Sequence, residues 1–238
     1  MKKINKTSLD NIAKNYSEDK DFEERLQKYK MLELEEVVRG KRMLDVGCGI
    51  GKTTKYLAHF FDEVVGIDGS KDKINKARKL NHHPNIKYIL TMIDNYLPSR
   101  NFDTIVCTNV LEHMPDPATF LNKIKSWLVE GGRLIVTVPN ARAFHKLLGV
   151  KMGVTNDLFK LTEADVGKGH FIVFDRKILE DFIVRSGFKI IKSSGILFKP
   201  FPSNLMETIP NNIVDGLYEM GKEFPDLCSS LLVVGEKI

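Results

Sequence analysis

Short apolar runs alternate along the chain with stretches in which apolar positions recur every three or four residues. Residues 21–38 carry Phe22, Leu26, Tyr29, Leu32, Leu34 and Val37 near helical spacing and predict an amphipathic leading helix. Residues 41–46 predict a first strand, 47–51 a turn and 53–61 a helix. Residues 63–68 predict a second strand, 70–80 a helix and 86–90 a third strand. Residues 102–108 are apolar on both faces, as a buried central strand requires. Residues 118–128 predict a helix ended by Gly131 and Gly132. Residues 133–138 predict a fifth strand, stopped by Pro139. Residues 175–186 predict a helix capped by Asp175 and stopped by Gly187, and residues 188–197 and 229–236 predict two final strands. This alternation predicts an α/β protein with a mainly parallel sheet flanked by helices.

Two segments break the rhythm. Residues 140–170 are longer than a crossover needs, and residues 200–225 are rich in Pro and Asn around an apolar helical stretch at 213–220. Neither contains a repeat, so a single domain over residues 1–238 is the simplest reading. In it residues 1–39 form a helical cap, and the two irregular segments are insertions that form a lid over the acceptor.

Composition narrows the class. With 42% hydrophobic and 28% charged residues, the chain is expected to be globular rather than disordered. The net charge of +5 is mild, and Lys and Glu are interspersed, so no nucleic-acid partner is expected. Cys48, Cys107 and Cys228 form no C-x-x-C pair, which fits a reducing compartment. The first thirty residues are polar and unlike a signal peptide, and no apolar run approaches the roughly 20 residues that span a bilayer. A cytoplasmic protein without membrane insertion is expected.

The strongest chemical signal is Leu44-Asp45-Val46-Gly47-Cys48-Gly49-Ile50-Gly51, an apolar strand ending in an acid before three alternating glycines. Glycines there admit backbone angles closed to other residues and let a ligand approach the main chain. The helix start beyond them offers unpaired N–H groups. A tight strand-to-helix turn alone would also use glycine. Asp68, closing the second strand, sharpens the reading, because an acid there can accept from both ribose hydroxyls. Taken by itself it could equally cap a helix. Lys52 stands where the dinucleotide fingerprint needs its third glycine, which disfavours a pyrophosphate. Asp45 before the loop favours a ligand with a positive amino-acid end.

The stretches LDVGCGIGK, VVGIDGS, FDTIVCTNVLEHMPDP, LVEGGRLIVTVPN, GHFIVFD and SGFKI, in this order, resemble the class I S-adenosylmethionine-dependent methyltransferases. The likeness is greatest to the small-molecule branch that includes the ubiquinone-biosynthesis O-methyltransferases. The resemblance implies a Rossmann-like three-layer sandwich with a seven-stranded sheet, mainly parallel, whose last strand is antiparallel. It implies S-adenosyl-L-methionine as cofactor and a methyl transfer to oxygen or nitrogen of a small-molecule acceptor. Carried over by residue, it implies that Asp45 orients the methionine amino group, Gly47, Cys48, Gly49 and Gly51 line methionine and ribose, and Asp68 binds the ribose diol. Gly69 and Ser70 would sit against the adenosine, with Met92, Ile93 and Asp94 around the adenine. Asn109 and Val110 would meet the methionine portion, and Tyr16 would close over the cofactor. The stretch 91–96 lacks the usual D-A-x-x-L-P form, and neither insertion carries a motif.

Methyl transfer asks chiefly for positioning, and a base only where the acceptor must lose a proton. His113 and His170 are the candidates, although a loop histidine bonded to backbone is an equal reading of His113. No set of histidines and carboxylates has metal-ligand spacing along the chain, so no metal is expected. A cofactor-binding regulatory module without turnover and a nicotinamide oxidoreductase stay open as alternatives.

Overall fold

The computed structural model describes residues 21–238. In chain order its main elements are α1 (Asp21–Glu35), β1 (Arg42–Val46), α2 (Lys52–Leu57), β2 (Glu63–Asp68), α3 (Lys71–Leu80), β3 (Ile86–Leu90), β4 (Phe102–Thr108), α4 (Pro117–Ser126) and β5 (Leu128–Pro139). There follow α5 (Phe144–Lys151), α6 (Glu163–Gly167), α7 (Arg176–Arg185), β6 (Phe188–Phe198), α8 (Ser203–Met206), α9 (Asn211–Glu223) and β7 (Cys228–Lys237). The strands form one sheet in the order β3-β2-β1-β4-β5-β7-β6. β1 to β5 pair in parallel, whereas β7 runs antiparallel between β5 and β6.

Strand periodicity divides the core into two layers. Ile105 and Cys107 of β4 and Leu134 and Val136 of β5 face one side, where Phe120, Leu121 and Ile124 of α4 and Leu179 and Ile183 of α7 cover them. Val106 and Ile135 face the other, against Phe22, Tyr29 and Leu34 of α1, Leu57 of α2 and Val214 and Tyr218 of α9. Both faces being covered explains why these strands read as continuous apolar runs.

The caps follow the sequence. Asp175 accepts from the Ile178 N–H at 2.9 Å and Asp116 from the Thr119 N–H at 3.0 Å, with Pro117 in the first turn of α4. The glycine pair at 131–132 behaves differently from expectation. α4 already ends at Ser126, and β5 begins at Leu128, opposite Phe102. Gly131, at φ +68°, supplies the left-handed residue where the β4–β5 register shifts. These glycines therefore serve a strand irregularity, not a helix stop. Both insertions are partly helical, through α5 and α6 in one and α8 and α9 in the other.

Helix α1 is fastened by the second insertion. The Arg25 guanidinium donates to the carbonyls of Ile209 at 2.8 Å and Met206 at 3.0 Å. Tyr29 donates to Asp215 at 2.5 Å and stacks on Tyr218 with centroids 4.6 Å apart. α1 is thereby held over the carboxyl ends of the strands, where ligands bind in open parallel sheets.

Candidate active site

A cleft of about 650 Å³ opens at the carboxyl ends of β1, β2 and β4. Reversal of strand order between β1 and β4 leaves room there, because the crossovers leave the sheet in opposite directions. Of the residues expected at a cofactor, Gly47, Cys48, Gly49, Asp68, Gly69 and Ser70 line it on one side. Met92, Ile93 and Asp94 follow along the β3 edge, and Asn109 and Val110 stand at the β4 end. Asp45 and Gly51 lie behind the wall, not on it, and Tyr16 lies outside the described residues.

The glycine elbow is built around a carboxylate. Gly47, Gly49 and Gly51 have φ values of +69°, +56° and +81°, angles that a side chain disfavours. The turn closes through the Gly51 N–H to the Cys48 carbonyl at 2.9 Å, and it is tied to β2 by the Cys48 N–H to the Ile67 carbonyl at 3.0 Å. Asp68 then accepts from the Gly49 N–H at 3.0 Å on one oxygen and from the Ser70 N–H at 2.8 Å on the other. Each carboxylate oxygen keeps further acceptor capacity, which suits a pair of vicinal hydroxyls. Ser70, not Asp68, caps α3, accepting from the Lys73 N–H at 3.4 Å.

Beneath the elbow Asp45 is almost fully buried. Thr54 donates to one carboxylate oxygen at 2.6 Å, and the other has no hydrogen-bond partner. Burial pushes the Asp45 carboxyl up to about 7, against the pull of the Thr54 hydroxyl and with the help of the Asp68 charge. A cationic ligand end above the elbow would relieve that penalty. An orphaned buried oxygen, one main-chain turn with three glycines and an acid at the ribose position together fit an adenosyl amino acid.

Four residues of α1 complete the opposite wall: Glu23, Glu24, Gln27 and Lys30. Sequence reasoning missed them, although positions 23, 27 and 30 form one polar stripe at helical spacing between apolar neighbours. Gln27 donates to Thr53 at 2.7 Å, and Lys30 donates to the Asn109 side-chain oxygen at 2.8 Å.

The two histidines come together. His113 lines the cleft, its Nδ1 3.2 Å from the Gly169 carbonyl, and its ring packs edge-on to His170 at 4.9 Å between centroids. His170 is not on the cleft wall; its Nδ1 lies 3.3 Å from Asp165, and its buried Nε2 has no hydrogen-bond partner. Burial holds His113 down at about 4 and lowers His170 as well, so both rings are neutral at pH 7. Glu112 joins them, fully buried, and burial pushes its carboxyl up to about 8 against the pull of its own backbone N–H, the Lys30 charge and the Asn109 amide. One donor atom from each of Glu112, His113 and His170 lies within 4.8 Å of the others. Spacing along the chain gave no metal-binding set, yet folding of the first insertion against the β4 loop assembles donors that can hold a divalent cation.

Strand order, elbow and carboxylate define a nucleoside-binding α/β protein of the Rossmann-like, antiparallel-β7 type. A family model described as a methyltransferase domain matches residues 19–193, and the chain belongs to that family. It is 30% identical over 165 residues to a ubiquinone biosynthesis O-methyltransferase of Bradyrhizobium sp. (strain ORS 278), a match covering 68% of this chain and 64% of that protein. The chain thus spans less than two thirds of that relative's length. An S-adenosylmethionine dependent methyltransferase from Mesorhizobium loti has the same fold, with a TM-score of 0.65, 19% identity and coverage of 89% and 100%. The N-methyltransferase NodS from Bradyrhizobium japonicum WM9, in complex with S-adenosyl-l-homocysteine, follows at a TM-score of 0.57, 16% identity and coverage of 92% and 89%.

Proposed function

We propose that the chain is an S-adenosylmethionine-dependent methyltransferase acting on an oxygen or nitrogen of a small-molecule acceptor. The observation that carries this reading is the Asp68 carboxylate, poised on the cleft wall between the Gly49 and Ser70 N–H groups. The cofactor, when bound, supplies an activated methyl group on a sulfonium sulfur. Asp68 holds the ribose diol, Asp45 favours the amino end, Met92 to Asp94 flank the base, and Asn109 and Val110 fix the methionine end. His113, and His170 behind it, stand on the acceptor side as neutral imidazoles able to take a proton or to hold a cation.

The chain is read as one domain. Its first insertion supports the acceptor side through His170 and the contact of the Phe171 N–H with the Glu112 carbonyl at 2.8 Å. The second supports it through α1. No described helix is long and apolar enough to cross a membrane. Cytoplasmic residence is proposed on three buried, unpaired cysteines, and a small acceptor, not a nucleic acid, on the concave cleft and mild charge.

The direct test is calorimetry with S-adenosylhomocysteine, followed by mass spectrometry of a metabolite panel for a gain of one methyl. Absence of binding would remove the proposal. Cofactor affinity is also expected to depend on pH. With a carboxyl raised to about 7, a cationic ligand must first displace its proton below that value. Affinity should therefore rise by up to about tenfold per pH unit below pH 7 and level off above it. Asp45→Asn should flatten the profile, and a profile unchanged by that substitution would refute the role.

His113→Ala and His170→Ala should each lower turnover by about 100-fold or more, the lower end of the range of a general base, while S-adenosylhomocysteine affinity stays near wild type. Elemental analysis of the same proteins distinguishes the two forms of this role. A bound divalent cation lost in both variants identifies a metal site, and its absence from the wild type leaves proton transfer.

A further inference from the structure

We propose that Lys146 of α5 and Lys199, just beyond β6, form an anion site at the acceptor end of the cleft, so that the acceptor is a small molecule bearing a carboxylate or a phosphate. The inference rests on the methyltransferase reading and adds to it the charge of the acceptor.

Position comes first. The cofactor's methionine end lies at Asn109, to which Lys30 donates at 2.8 Å, so the acceptor approaches from beyond it, past His113 and Glu23. Both insertions reach that end. His170 of the first packs on His113, with ring centroids 4.9 Å apart. Lys199, which leads into the second, stands 5.3 Å from the ring centroid of Phe22, the neighbour of Glu23 on α1. The Phe144 and Phe198 rings pack at 5.0 Å and dock the start of α5 against the end of β6. Lys146 and Lys199 follow those two rings closely in the chain and are brought together by them. They stand one layer out from the lining residues Glu23 and His113. The end of an acceptor remote from its methylated atom arrives there.

Charge comes second. Both lysines are partly buried, and burial holds both ammonium groups below the usual lysine range. Lys168 adds a third positive charge that acts on each of them. Two carboxylates oppose the three cations. Asp165 acts on Lys146, yet it is engaged as a cap of α6, accepting from the Thr162 N–H at 3.0 Å and hydroxyl at 2.7 Å, and it lies 3.3 Å from His170. Glu23 acts on Lys199 from the exposed start of α1. Among the described residues neither Lys146 nor Lys199 has a carboxylate within ion-pair distance.

The hydrogen bond that Lys199 makes is to a neutral group, the Ser203 hydroxyl at 2.8 Å, which leaves two of its three N–H donors for a ligand. Half-buried cations without a salt bridge are costly until an anion compensates them. A carboxylate or phosphate accepts charge-assisted hydrogen bonds from both ammonium groups at once. A cationic acceptor is repelled by the same pair, so the site discriminates by charge.

The test is calorimetry on protein saturated with S-adenosylhomocysteine, with benzoate, phenyl phosphate and the neutral benzamide as probes. The wild type should bind at least one of the anions ten times more tightly than benzamide, and the tighter anion names the group. The double variant Lys146→Met, Lys199→Met should lose this preference and the double arginine variant should keep it, with S-adenosylhomocysteine affinity unchanged in both. Should the methionine protein not fold, Lys146→Gln and Lys199→Gln should each reduce the preference at least threefold. Lys151→Met, at an exposed lysine of the same helix, controls for general charge and should leave the preference intact. The proposal is overturned if neither anion binds more tightly than benzamide, if the preference survives without both lysines, or if the Lys151 variant loses it equally. Failure of the wild type to bind S-adenosylhomocysteine sinks the methyltransferase assignment and this proposal with it, whereas binding without the anion preference sinks this proposal alone.

Discussion

Replacing Asp68 with alanine is expected to weaken S-adenosylhomocysteine binding about 100-fold, on the order of 3 kcal/mol by calorimetry. The carboxylate does two things at once. Its two oxygens bind the Gly49 and Ser70 N–H groups, at 3.0 Å and 2.8 Å, and set the distance between the elbow and the turn after β2. Its remaining lone pairs face the cleft, where ribose hydroxyls would make charge-assisted bonds of about 1.5–3 kcal/mol each. Loss of the side chain removes the ligand contacts and frees both loops. Asp68→Asn keeps one oxygen acceptor without the charge and should fall between the two. Equal affinity in wild type and alanine variant, with both proteins folded by circular dichroism, would rule out the ribose role.

The second large effect is on stability. Gly51→Ala should lower the unfolding free energy by about 2–4 kcal/mol, which for a chain of this size is a fall in Tm of roughly 5–15 °C by calorimetric melting. Gly51 stands at φ +81°, where an L side chain is strained, and a Cβ built there would meet the Tyr88 phenol, its ring carbon Cζ 2.8 Å away. The phenol has little freedom to yield, because its hydroxyl donates to the Asn81 carbonyl at 2.8 Å and its ring packs under the elbow with Cys48, Ile74 and Ala77. Backbone strain of about 1–2 kcal/mol thus adds to overpacking of similar size. Gly49→Ala is the control. Its Cβ would have nothing within 4 Å, so only the φ cost remains for folding, but the methyl group would project from a residue on the cleft wall. It should lose more cofactor affinity than stability, and Gly51→Ala the reverse. If both variants melted with wild type, the elbow would not be the constrained turn described above.

Much of this architecture was legible in the chain because it is local. The strands at 63–68, 86–90 and 102–108 were set by short, mainly apolar runs between turn residues, and observed boundaries match them. The elbow was legible because three alternating glycines after an acid have few other uses. Where a local signal admitted two meanings, the less obvious one sometimes held. Gly131 and Gly132 read as a helix stop, yet they shape the irregular start of β5, since the Phe102–Leu128 pairing that draws the strand in is tertiary.

The sequence by itself determined the α/β alternation, the glycine turn and the acid closing the second strand, because periodicity and backbone permissiveness act over a few residues. Tertiary structure alone decided what surrounds them. It sealed Asp45 beneath Thr54, turned the polar stripe of α1 toward Asn109, and brought His170 beside Glu112 and His113. Such contacts join segments far apart in the chain, and the free energy that fixes them comes from packing of the whole sheet, which no local pattern encodes.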